Sequence, residues 1–295
     1  RVEVDNELNK FSFATDLIPS TVNKVSTQLL EDRLDPRPYR NHYINLVDQI
    51  KKVTHSKIGK LASLNSGCPV SSSDFLEEKA VPLIRIRNIG YDDFIGVDTY
   101  ISKSLYEEEG KYKAEENMIV IGMDGIFRAQ FILAEELPML INQRVAILKP
   151  NEIRSELLTH WLNRPEGQMQ LNQWAVKTTV EHTSLSDIGR VLIPRLTPEI
   201  EDYLADKLRN ARKALKASKA LAESAKYIVE NLIEGEVTED QLIQAQNALE
   251  QGDTGLDRAI LSQMTEGGYA VAGSKPLFSD IDEFYDLLEQ AKVLE

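Results

Sequence analysis

A single cysteine, Cys68, stands in 295 residues, and its isolation excludes a whole class of scaffolds. One thiol cannot close an intramolecular disulfide, so the expected setting is a reducing cytoplasm and the expected role of Cys68 is small packing filler. No apolar run approaches the roughly 18 residues that a bilayer-crossing helix requires. The opening stretch RVEVDNELNK is charged and lacks the apolar core of a signal peptide. Phosphate-cradling glycine loops, a Gly-x-Ser-x-Gly elbow and metal-spaced Cys/His sets are all missing. The four histidines, His42, His55, His160 and His182, are scattered. His160 in LLTHWL has the setting of a packed core histidine. Asp124 in MDG has the chemistry of a turn rather than of a nuclease. Catalysis is not expected of this chain.

What is present is a globular composition. Hydrophobic residues make up 42% of the chain, enough for a substantial core. The net charge is −13, which argues against a polyanion-binding surface. Its distribution weakens that objection. Residues 1–55 carry 8 basic and 8 acidic side chains, residues 56–195 carry 16 and 19, and residues 196–295 carry 10 and 20. The acidity belongs mainly to the last third, which has the look of a solvating or protein-contacting region.

The texture of the sequence changes along its length, giving four expected segments: 1–55 helical and linking, 56–196 strand-rich, 197–235 one long helix, 236–295 an acidic helical tail. TVNKVSTQLLEDRL is a candidate short helix, and the two prolines of DPRPYR force an extended or turning chain. NHYINLVDQIKKV spaces Tyr43, Leu46, Val47 and Ile50 at helical intervals. From Lys57 onward short strands dominate. In VPLIRIRNIG, Leu83, Arg85 and Arg87 alternate with Ile84 and Ile86, so both arginines are expected on one strand face. VIGMDGIFRAQF is a hairpin with an Asp-Gly turn, which puts Arg128 and Gln130 on a common face. LINQRVAILKP adds a strand, SELLTHWLNRPEG a helix stopped by Pro165 and Gly167, and Val191–Ile193 a last strand. The pattern predicts an α+β domain with a curved mixed or antiparallel sheet and embedded helices.

Thr197-Pro198-Glu199 is a helix start, with a capping hydroxyl, proline in the first turn and an acid beside it. Leu204, Leu208, Ala211, Leu215, Ser218, Ala222, Ala225, Val229 and Leu232 then recur at alternating spacings of four and three, a heptad seam ended by Gly235. A lone helix of about 55 Å needs a partner along such a seam. Beyond it lie TEDQLIQAQNALEQG and LDRAILSQM as helices, EGGYAVAGSKP as a glycine-containing turn, and DIDEFYDLLEQAKVL as an acidic amphipathic helix.

Taken in order, KIGKLASLNSG, VPLIRIRNIG, NMIVIGMDGIFRAQF, LINQRVAILKP, ELLTHWLN and HTSLSDIGRVLIPRLTPEIEDYLADKL resemble the target recognition domain of type I restriction-modification specificity subunits. As in that family, an Ile-Pro pair, here Ile193-Pro194, leads directly into a long helix. The resemblance covers about residues 33–235. Specificity subunits usually carry two recognition domains and two long helices, whereas this chain has one of each, and base-contacting positions vary too much in the family to be transferred.

The resemblance implies a non-catalytic, DNA-binding specificity subunit of half-S type. Its partners would be double-stranded DNA, a methyltransferase subunit that carries S-adenosylmethionine, and a translocating restriction subunit, with a homodimer formed through the long helix. Base reading calls for arginine toward guanine and asparagine or glutamine toward adenine, and phosphates call for cations and hydroxyls. The candidate DNA contacts are therefore Arg85, Arg87, Asn88, Arg128, Gln130, Gln143, Arg144, Lys177, Thr178, Thr179 and His182, with Arg128 foremost. The candidate pairing residues are Leu204, Leu208, Ala211, Leu215, Ala222, Ala225, Val229 and Leu232. Plainer readings stand beside these. Arg85 and Arg87 can pair with Asp92 or Asp93, Asn142-Gln143 can be structural, and the loop from Lys177 to Thr183 can be a simple connector. At the level of the whole chain, the alternatives are a specificity module of a single-chain methyltransferase-nuclease and a coiled-coil adaptor that binds no DNA.

Overall fold

A computed structural model describes residues 1–15, 18, 23–30, 33–77, 80–177, 179–266 and 281–292. The chain divides into two compact units, residues 1–208 and 209–295.

The first unit opens with α1 (Val2–Asn9) and α2 (Asn41–Lys51). There follow β1 (His55–Lys57), the single turn α3 (Ile58–Leu61), β2 (Ala62–Ser66), β3 (Val81–Ile84), β4 (Tyr100–Ile101) and α4 (Lys103–Glu108). Next come β5 (Ile119–Gly122), β6 (Ala129–Phe131), β7 (Leu140–Ile141), β8 (Val145–Pro150), α5 (Ser155–Asn163) and α6 (Pro165–Trp174). The last are β9 (Val176–Lys177), β10 (Glu181–His182), α7 (Leu185–Arg190), β11 (Leu192–Pro194) and the start of α8 (Pro198–Glu234). The expected helix over TVNKVSTQLLEDRL is only a 3₁₀ turn, Thr27–Leu29, among the residues described there.

Strands form a four-stranded antiparallel sheet in the order β2-β8-β5-β6 and a three-stranded sheet β4-β3-β7 whose β3 and β7 run parallel. Two further strand pairs, β1 with β11 and β9 with β10, complete the described pairing. Period-two alternation decides what each face of the larger sheet covers. Ile119, Ile121, Ala129, Phe131, Ala146 and Leu148 join Leu157, Leu158, Trp161 and Leu171 of α5 and α6 in the main core. Val120, Val145 and Ile147 face a second cluster that holds Ile84, Ile89 and Ile141. Both faces of β5 and β6 are thus buried, and Gln130 of β6 goes inside with them.

Pro165 does more than stop a helix: it is the first-turn proline of α6, so LNRPEGQMQLNQW is a helix–helix corner. A Cβ at Gly167 would lie 2.2 Å from the Trp161 carbonyl oxygen, so only glycine permits that corner. Cys68 is buried beside Val81 and Leu83. Burial, then the Glu109 carboxylate, pushes its thiol up to about 11, far from nucleophilic use at neutral pH.

The second unit holds the rest of α8 with α9 (Glu239–Glu250), α10 (Gly255–Glu266) and α11 (Ile281–Lys292). Gly235, at φ +79°, ends α8 in the left-handed conformation that glycine adopts without strain. Ala220 and Tyr227 pack with Leu261 of α10 and Phe284 of α11. The heptad seam lies on another side. Ala211, Leu215, Ser218, Ala222, Ala225, Val229 and Leu232 are all exposed, Val229 at 54%. Leu204 and Leu208, expected to pair with another helix, are instead buried in the main core of the first unit. The turn expected over EGGYAVAGSKP lies mostly outside the described residues.

Candidate nucleic-acid interface

The turn between β5 and β6 is longer than its Asp-Gly pair suggests. The Gly122 amide donates to the Arg128 carbonyl at 3.0 Å, and Gly125 takes φ +73° between them. Two other segments are hydrogen-bonded to this turn. The Gly125 amide donates to the Glu181 carbonyl (2.8 Å), the Thr183 amide to the Met123 carbonyl (2.9 Å), and the Met123 amide to the Arg144 carbonyl (3.1 Å). The hairpin turn, the Asn142–Arg144 loop and the β9–β10 ribbon therefore form one surface at the end of the large sheet. Arg37 ties the ribbon to the N-terminal part of the unit through Glu181, 2.7 Å away. Burial works against the charge of that guanidinium, but the Glu181 hydrogen bond and charge outweigh it and hold its pKa above the usual value.

Side chains converge on Asp124. Its Oδ1 lies 2.6 Å from His182 Nδ1 and its Oδ2 lies 3.8 Å from Arg144 Nε. Arg144 and His182 remain open to solvent, and Gln143 is exposed beside them. Arg128 is half-buried, with its guanidinium 5.2 Å from the centroid of the exposed Tyr91 ring. Its Nε has no hydrogen-bond partner among the described residues. Ile126 and Val180 add exposed apolar surface at the hairpin tip.

Other predicted contacts are placed differently. The strand through VPLI ends at Ile84, and a 3₁₀ turn over Ile86–Asn88 breaks the alternation that put Arg85 and Arg87 on one face. Arg85 lies over the Phe75 ring at 5.3 Å, while Arg87 is exposed and pairs with Asp98, neither Asp92 nor Asp93. Asn88 is fully buried and cannot reach a ligand. Its Oδ1 accepts from the Arg85 amide and its Nδ2 donates to the Ile95 and Gly96 carbonyls. Gln130, 1% exposed, faces the second core cluster opposite Val120 and is likewise withdrawn from the surface. Asn142 accepts from the Arg144 amide, which suits a structural role. Thr179 is exposed, the Lys177 backbone belongs to β9, and Thr178 lies outside the described residues.

Asp124 and Tyr91 escaped the sequence reading. Asp124 was legible as a turn residue only, because its partner His182 lies 58 positions further on. Among the described residues no group of three His, Cys, Asp or Glu side chains is arranged to hold a metal ion, and no helix is long and apolar enough to cross a membrane.

No family model and no curated protein matches the chain. Solved structures do resemble it. The S subunit of a type I restriction-modification system from M. genitalium aligns with TM-score 0.43 and 15% identity, over 72% of this chain and 49% of that one. A structure from work on complex assembly and conformational transition of the type I R-M system gives TM-score 0.41 and 18% identity, over 61% and 44%. The HsdS subunit from Thermoanaerobacter tengcongensis gives 0.38 and 16%, over 56% and 39%. The chain spans about half the length of these proteins or less, and what it is similar to is the S subunit of type I restriction-modification systems.

Proposed function

We propose that the first unit binds double-stranded DNA and reads a short sequence, and that the chain is a non-catalytic specificity subunit of a type I restriction-modification system. The observation that carries this reading is the surface around Asp124. Three hydrogen-bonded chain segments carry Arg144, His182, Gln143 and Arg128, of which Arg144, His182 and Gln143 are open to solvent. Fork-shaped guanidinium donors and an imidazole suit base edges in a major groove, while the exposed Arg87 suits phosphates. The exposed Thr179 adds a hydroxyl beside the β9–β10 strands, and Lys177 and Thr178 remain candidate phosphate contacts from their chemistry alone.

On this reading the chain is a half-S subunit. Its exposed α8 seam pairs with a second copy, giving two readers and a split target, and the methyltransferase partner brings S-adenosylmethionine to the cytoplasmic complex together with a translocating restriction subunit. The specificity module of a single-chain methyltransferase-nuclease uses the same surface in the same way. An adaptor that binds only protein is the competing reading, favoured by the net charge of −13 and by the bare seam.

Binding of target and scrambled duplexes at fixed salt, with the intact chain and Arg128→Ala, tests the proposal. Loss of about 1–3 kcal/mol on the target alone is expected if Arg128 reads a base. Equal loss on both duplexes makes Arg128 a phosphate contact. Absence of any duplex binding by the intact chain leaves the adaptor reading standing.

A further inference from the structure

Among the contacts described, Asp124 is the one group that touches both Arg144 and His182. Its backbone already holds the turn: Met123 and Gly125 on either side of it are hydrogen-bonded to the Arg144 and Thr183 segment and to Glu181. The carboxylate is therefore not needed to close the turn, and its two oxygens face different partners: Oδ1 is hydrogen-bonded to His182 Nδ1, and Oδ2 lies at ion-pair distance, 3.8 Å, from Arg144 Nε. With Nδ1–H donated to a carboxylate, a neutral imidazole carries its lone pair on Nε2. With Nε drawn toward Asp124, the two terminal nitrogens of Arg144 stay without a partner among the described residues.

We infer that Asp124 is a positioning residue for sequence reading, which fixes His182 as a hydrogen-bond acceptor through Nε2 and Arg144 as a two-pronged donor at adjacent places on the rim. This rests on the DNA-reading proposal and adds its chemistry. An imidazole acceptor matches the exocyclic amino group of adenine or cytosine, and the guanidinium edge matches O6 and N7 of guanine. The surface is thereby matched to neighbouring positions of opposite hydrogen-bonding character, set by one carboxylate that itself contacts no base. Asp124 also screens the positive charge of Arg144, so the pair favours a base edge over indiscriminate attraction to phosphate.

The test is selection from a randomised duplex pool by the full-length chain, run in parallel for the unaltered protein, Asp124→Ala, Asp124→Asn, His182→Ala and Arg144→Ala. The unaltered chain is expected to enrich adenine or cytosine at one position and guanine at a neighbouring one. Asp124→Ala flattens both preferences and lowers affinity for the selected duplex by about tenfold or more, with a much smaller change on an unrelated duplex. Asp124→Asn keeps an oxygen to accept from His182 but loses the charge that holds Arg144, so it retains the first preference and loses the second. His182→Ala and Arg144→Ala each erase one.

A merely structural Asp124 behaves differently. Its variants would lose affinity equally on all duplexes, or keep the full preference, and either result overturns the inference while leaving DNA reading intact. Unaltered protein that binds the pool without enrichment overturns the reading on which the inference rests. If Asp124→Ala fails to fold, the isosteric Asp124→Asn decides the matter by whether it separates the two preferences.

Discussion

Arg164 shows how much a single buried side chain can organise. It is largely buried and joins Asp5 and Asn9 of α1 to Glu166 of α6, so it fastens the N-terminal helix to the body of the first unit. Arg164→Ala leaves the Glu166 carboxylate buried without its partner, and destabilisation of about 3–5 kcal/mol is expected in chemical denaturation. His160 belongs to the same latch, 3.0 Å from Asp5. Burial lowers the His160 pKa more than the Asp5 contact raises it, so the ring sits below its ordinary 6.5. The unfolded chain takes up that proton first, so stability falls as the pH drops below about 6.5 and levels off once the folded ring is also protonated. Burial of Asp5 works the other way, but the hydrogen bonds and charges of His160 and Arg164 outweigh it and hold that carboxyl below 3.8. Its contribution is present above that value and disappears on stronger acidification. Denaturation midpoints measured either side of pH 6.5 should differ in the unaltered chain and much less in His160→Gln. None of this latch was legible in sequence, since its members lie more than 150 positions apart. Asn88 and Gln130 failed for a related reason. Gln130 sits on a strand face that only the folded chain shows to be covered by the second core cluster, and Asn88 sits in a 3₁₀ turn where strand alternation does not apply.

At the level of elements, periodicity served best where the element is long. The start and end of α8 were legible from Thr197-Pro198 and Gly235, because capping and left-handed glycine are local effects. Its partners were not, because α8 carries two apolar stripes. The tail packs on the one that includes Ala220 and Tyr227, and the seam residues from Ala211 to Leu232 are exposed among the described residues. The two stripes predict opposite responses to substitution. Tyr227→Ala should cost the second unit about 3–5 kcal/mol, as for other buried aromatics. Val229→Asp should change stability by less than about 0.5 kcal/mol, as at ordinary surface sites, yet reduce any dimer to monomer in light scattering. A Val229→Asp chain that stays dimeric would place the pairing surface elsewhere. The α5–α6 corner offers a parallel case. Gly167→Ala should destabilise by about 1–3 kcal/mol, since the added methyl meets backbone rather than a movable side chain. The sequence marked the break before Pro165 correctly, but Gly167, expected to stop a helix, lies inside the second helix that Pro165 opens.

For the whole molecule the question is how the proposed DNA binding fits an acidic chain. Charge is partitioned along the sequence: residues 196–295 carry 20 acidic and 10 basic side chains, while residues 56–195 carry 19 and 16. On the proposed reading, a near-balanced segment gains little from general attraction, so DNA affinity would come from a few placed contacts. The acidic second unit further disfavours unspecific attachment along a duplex. Salt dependence measures this directly, because each phosphate neutralised contributes about −0.9 to the slope of log K against log salt concentration. On the proposed reading Arg87 is the candidate phosphate contact: it is exposed, and its partner is the surface carboxylate of Asp98. Arg87→Ala is expected to weaken target and scrambled duplexes alike and to reduce the slope by about one. Arg128→Ala, by contrast, should lower target affinity with the slope nearly unchanged. Titrations over a range of salt concentrations distinguish the two, and a slope near zero for the unaltered chain would remove DNA from its list of partners.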